Sequence, residues 1–186
     1  MRLALLPLAL LLSACGAVTL PGLRAAGSLD PLGTPPEAIA VAISLPAELR
    51  LRDGDATVRL ALEGDDGPLV DETVPLALVD APGPDGSALG DRVVVARFGP
   101  AAAARFAAAQ AEIRRLRAAG TEGRGSLSVA VRGGCLTGPL GDTLPVATWL
   151  RPAPDADFLP LTRRGDLLAA LEPEDRDALL AGLPPC

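Results

Sequence analysis

The chain has 186 residues, with 17 basic against 23 acidic side chains and a net charge of −6 at neutral pH. That acidic balance disfavours non-specific nucleic-acid binding, and Trp149, Phe98, Phe106 and Phe158, the only aromatics, are too few for base-stacking platforms. The absence of His excludes Ser-His-Asp and Cys-His catalysis and histidine-ligated zinc; the absence of Lys excludes Schiff-base chemistry and a phosphate-loop lysine.

The chain opens Met1-Arg2 and then runs apolar from Leu3 to Leu12. A positive charge, a short apolar core and a small-residue exit are the three parts of a secretory signal. The core is about half the ~20 residues that span a bilayer, and Pro7, Ser13, Gly16 and Thr19 interrupt the uncharged stretch that follows. Leu12-Ser13-Ala14-Cys15 closely resembles the lipobox of bacterial lipoproteins. The resemblance implies a diacylglyceryl group on the Cys15 thiol, cleavage just before Cys15, and acylation of the new amino terminus. A plain secretory signal and an uncleaved anchor are the competing readings; a buried apolar helix fits poorly, because the segment is not amphipathic. Two or more acyl chains hold a protein stably on a bilayer. Gly16, where an aspartate favours inner-membrane retention in enteric bacteria, points to the outer membrane. The expected organisation is a signal peptide over 1–14, a lipidated tether over 15–36 and one globular domain over 37–186.

Residues 16–36 are rich in Pro, Gly and small residues without periodicity. As a flexible coil they would span about 25 Å, although Leu20, Leu23, Leu29 and Leu32 offer apolar docking points. Strand patterns follow. Ile39, Val41, Ile43 and Leu45 alternate, as do Val58, Leu60 and Leu62, then Val74, Leu76 and Leu78. Gly64–Pro68 reads as a turn, Pro75 argues for an edge strand or bulge, and Val93–Ala96 forms the next strand. A long helix is expected between Pro100 and Gly120, with Phe106, Ala109, Ile113 and Leu116 as its buried stripe and Arg105, Glu112 and Arg115 facing away. The sheet resumes with Leu127, Val129 and Val131, then Val146, Thr148 and Leu150, with Trp149 on the opposite face. A short strand over Phe158–Leu161 and short helices over Gly165–Leu171 and Pro173–Leu180 complete the chain. The fold class expected is α+β: an antiparallel, sandwich-like sheet with one long helix packed on it and short C-terminal helices.

Once Cys15 carries lipid, Cys135 and Cys186 remain, and export places them in an oxidising compartment. They are expected to form a disulfide worth about 4 kcal/mol on the chain-entropy model; no CxxC supports a redox-active alternative. Gly133-Gly134 reads as the turn that delivers Cys135 to this bridge, with a close backbone approach as the alternative.

Other candidates weigh less. Asp53-Gly54-Asp55 and Asp65-Asp66 could attract calcium but lack EF-hand spacing and suit turns at strand ends. No carboxylate pair stands out for glycosidase chemistry. Arg114, Arg115 and Arg117 could meet anionic lipid or an acidic partner, yet read more simply as a solvated helix end. No catalytic, cofactor-binding or metal-binding residue is assigned. The expectation is a non-enzymatic, membrane-anchored envelope lipoprotein that faces the periplasm and acts through an envelope protein partner as an interaction or assembly accessory. A small-ligand or lipid-binding module, with a cavity between helix and sheet, is the alternative.

Overall fold

A computed structural model describes residues 30–84, 87–88 and 91–186. The signal peptide, Cys15 and the tether up to residue 29 lie outside the described residues.

The chain enters through a turn at Asp30–Thr34 and a 3-10 turn at Pro36–Ala38, then forms β1 (Ala40–Leu45) and β2 (Leu49–Arg50). A hairpin follows, β3 (Ala56–Gly64) and β4 (Gly67–Pro75), closed by Asp65-Asp66 between the paired Gly64 and Gly67. Two-residue connections of this kind favour glycine and aspartate. The alternating run expected over 72–80 is not one strand. It breaks at Leu76, after which β5 (Ala77–Asp80) joins a different sheet. Pro75, with no N–H to give a ladder, ends β4 at an edge, and the buried Leu76 donates to the Ala56 carbonyl at 2.8 Å as the chain crosses.

After β6 (Arg92–Arg97), helix α1 runs Pro100–Ala118 with proline at its first position. It ends in a left-handed Gly120 (φ 81°), where Thr121 N donates to Leu116 O and Gly120 N to Arg117 O. Those two bonds satisfy carbonyls the helix leaves open. Then come β7 (Arg124–Val131), β8 (Cys135–Leu136), β9 (Pro145–Arg151) and β10 (Leu159–Asp166). The expected strand at 158–161 thus continues to Asp166, with irregular register against β9. The expected helix over Gly165–Leu171 shortens to α2 (Leu167–Ala170). Asp166 sets that boundary: its Oδ1 accepts from Leu168 N at 3.0 Å and from Leu144 N at 2.8 Å, capping α2 and tying it to the chain before β9. α3 (Pro173–Ala181) closes the fold.

The strands form a five-stranded antiparallel sheet, β10-β9-β1-β6-β5, a three-stranded antiparallel sheet, β4-β3-β7, and a two-stranded ladder, β2-β8. The α+β class holds, with the long helix on a sheet. α1 lies on β4 and β3. Phe106, Ala109 and Ile113 pack against Val58, Leu60, Leu62 and Val74, and Ala96 of the five-stranded sheet joins the same cluster. That cluster places the two sheets face to face. A second cluster gathers Ile43, Leu45, Leu49, Leu144, Leu168 and Leu183 under the C-terminal segment.

Candidate functional site

At the helix–sheet interface, where the ligand-binding alternative would place its cavity, the apolar stripe of α1 is buried. Phe106 is 0% and Ile113 1% exposed, as in a close-packed interior. An open apolar hollow of about 470 Å³ lies at the start of α1, beside Leu76, Ala77, Pro100 and Ala102, and a less open space lies away from the helix. A space of about 350 Å³ opens between the two sheets on the flank that α1 does not cover. Its floor is the inward face of β1 and β9, through Ile43, Leu45, Val146 and Thr148. Leu49 and Leu51, around β2, form one side; Val131, Arg132 and Gly133, at the end of β7, form the mouth. Leu167, Leu179 and Leu183 of the C-terminal segment make the roof. Strand alternation puts these side chains on one face, and a cavity of this size with an apolar lining falls in the range of small-molecule sites.

A separate space of about 60 Å³ has Phe106 of α1 and Phe98 in its lining. Its lining steps two residues along the same three strands, from Ile43 to Val41, from Thr148 to Leu150 and from Val131 to Val129.

The roof is held by the disulfide. Cys135 and Cys186 are bonded, with Cα atoms 4.9 Å apart. Leu136 N donates to Pro184 O and Cys186 N to Leu136 O, each at 2.9 Å, so the last residues run as a parallel strap beside β8. Gly133 and Gly134 lead into this strap with φ of 95° and 121°. A Cβ at Gly134 would also sit 3.1 Å from the Arg50 carbonyl. Glycine suits that conformation at that separation, so Gly134 marks a close backbone approach.

Among the charged groups, Arg132 lines the cavity mouth and is exposed. Its N–H donates to Asp55 O at 2.7 Å. Among the described residues no carboxylate lies within ion-pair distance of its guanidinium. The nearby Asp55 carboxylate is engaged by Arg52, accepting from Arg52 N at 2.7 Å. Asp53-Gly54-Asp55 is thus a turn, and Asp65-Asp66 a hairpin tip; among the described residues no three His, Cys, Asp or Glu side chains gather as a metal site.

The three helix arginines have separate roles. Arg115 is bidentate to Glu112, at 2.6 and 2.7 Å. Arg114 donates to the Leu32 carbonyl. Arg117 lines a smaller hollow beside Asp30 and Gly125.

Two polar groupings went unseen in the sequence. Gln110 is buried, and its Nε2 donates to Pro31 O at 2.9 Å and Thr34 O at 3.0 Å, fastening the entering chain to α1. Its position, four residues after Phe106 and three before Ile113, was the available signal. Ser44, also buried, donates to Asp91 at 2.5 Å, and Arg164 binds both oxygens of the same carboxylate. Burial pushes the Asp91 carboxyl up, but the hydrogen bonds from Arg164 and Ser44 outweigh it and hold it below the usual carboxylate range. No helix among the described residues is long and apolar enough to cross a membrane. No protein-family model, curated protein or solved structure was found to match this chain.

Proposed function

We propose that this protein is a lipid-anchored envelope module that binds a small apolar ligand between its two sheets. The observation that carries the reading is the aliphatic cavity of about 350 Å³ beneath the C-terminal strap. The aliphatic wall of such a space is apolar surface that a ligand can cover. On this reading the protein acts without catalysis, and Cys15 holds it at the periplasmic face of a membrane, in the first instance the outer one.

Protein purified from its native envelope is extracted with organic solvent, and the extract is analysed by mass spectrometry. Wild type is expected to carry an apolar compound near one per chain, and Val146→Phe, which narrows the cavity from β9, to carry little. Equal yields from both proteins refute the reading. Intact mass of the same material reports the acyl groups expected on Cys15.

A specific observation favours a second reading, partner binding. β7 is an edge strand, and its inward Val129 and Val131 are 49% and 45% exposed. Such an edge accepts an added strand. In-cell cross-linking from Ser128→Cys, compared with the same variant carrying Cys15→Ala, tests for a partner whose capture depends on the anchor.

A further inference from the structure

The cavity carries information about the chemistry of what fills it. This inference rests on the ligand-binding reading above. The wall of the space beneath the strap contains one charged residue, Arg132, and one hydroxyl residue, Thr148, whose Oγ1 is already 2.9 Å from Thr162 Oγ1. In a chain of net charge −6, the wall has no acidic residue at all. The wall also has no aromatic ring, so it offers nothing for a planar ligand to stack on. Aliphatic, with a single cation among its lining residues, the cavity suits a hydrocarbon chain with a negative head.

We infer that the ligand is a single-chain anionic amphiphile of the fatty-acid type, its chain lying between the sheets and its head paired with Arg132 at the mouth. A guanidinium has a planar fork that matches a carboxylate, and the rim position keeps the charge hydrated when the cavity is empty. The ligand's charge cancels the one cation of the wall, whereas a neutral chain would leave it unpaired.

The test uses the full chain carrying Cys15→Ala, which takes no lipid and is purified without detergent. The probe is N-phenyl-1-naphthylamine, a neutral apolar fluorophore, excited by energy transfer from Trp149. Trp149 is the only tryptophan and follows Thr148 on β9, so transfer reports probe held close to the cavity. Dodecanoate, methyl dodecanoate and acetate compete for the site, each below its micellar concentration.

Dodecanoate is expected to displace the probe about fivefold more tightly than the ester, the scale of an exposed ion pair, and acetate not at all. Arg132→Ala should erase the fivefold difference, and Arg132→Lys should restore most of it. Equal competition by acid and ester, a preference that survives Arg132→Ala, or displacement by acetate overturns the anionic-chain inference while the ligand-binding reading stands. Failure of the probe to bind at all overturns that reading and the inference with it.

Discussion

The space between the sheets is closed in two ways. Over β3 and β4 it is closed by α1, which buries Ala102, Ala103, Phe106, Ala109, Gln110 and Ile113. Over the flank next to β7 it is closed by the C-terminal segment, whose α3 has no fully buried residue. One cover is a helix with a packed stripe; the other is a strap fixed by covalent and backbone bonds. A stripe fills the volume beneath it because every turn contributes a side chain. A strap only needs to be fastened, so it can span a space without filling it. The cavity is a consequence of that second kind of closure.

The contrast can be broken from either side. Phe106→Ala removes the largest fully buried side chain and should cost about 4 to 5 kcal/mol, read as a lowered midpoint in urea denaturation. Removing the disulfide with Cys135→Ala and Cys186→Ala should cost about 3 to 4 kcal/mol. Its signature differs: hydrogen exchange should accelerate first across 167–186, while α1 stays protected. If both variants loosen the whole chain equally, the two closures are not distinct.

Smaller effects sharpen the picture. Asp91→Ala leaves buried Ser44 without its acceptor and should cost about 2 kcal/mol. Because the folded Asp91 carboxyl titrates below its unfolded value, its contribution is present above about pH 4 and is lost as pH falls further. Acid titration of unfolding should therefore show a steeper loss in wild type than in Asp91→Asn. Leu179→Ala, in the roof, should cost less than about 1 kcal/mol, since the side chain borders a void and leaves few contacts behind. A cost comparable to that of Phe106→Ala would mean the roof is packed as tightly as the helix.

Much of this arrangement was legible in the residues. Alternation marked β1, β3, β7 and β9, the Val93–Ala96 run marked β6, and Pro100 and Gly120 bracketed α1, because those signals are local. The pairing of Cys135 with Cys186 followed from cysteine count and the expected compartment. The strand crossing at Leu76 was not legible. Val74, Leu76 and Leu78 keep one alternation through it, and only the geometry of two sheets separates β4 from β5. The ligand-binding alternative would place the cavity under α1, and it sits under the strap. Its walls come from β1, β7, β9 and the C-terminus, and no local period records how distant segments fail to fill a volume. Arg132 carried no sequence signal; its interest lies in what surrounds it.

The fastening of the entering chain has a mechanical meaning. Gln110 and Arg114 grip the carbonyls of Pro31, Leu32 and Thr34, beside Gly125 at the start of β7. The cavity mouth is at Val131, the other end of that strand, about 20 Å away. A pull on the amino-terminal chain is borne first by the longest helix of the fold, and the mouth is spared the load.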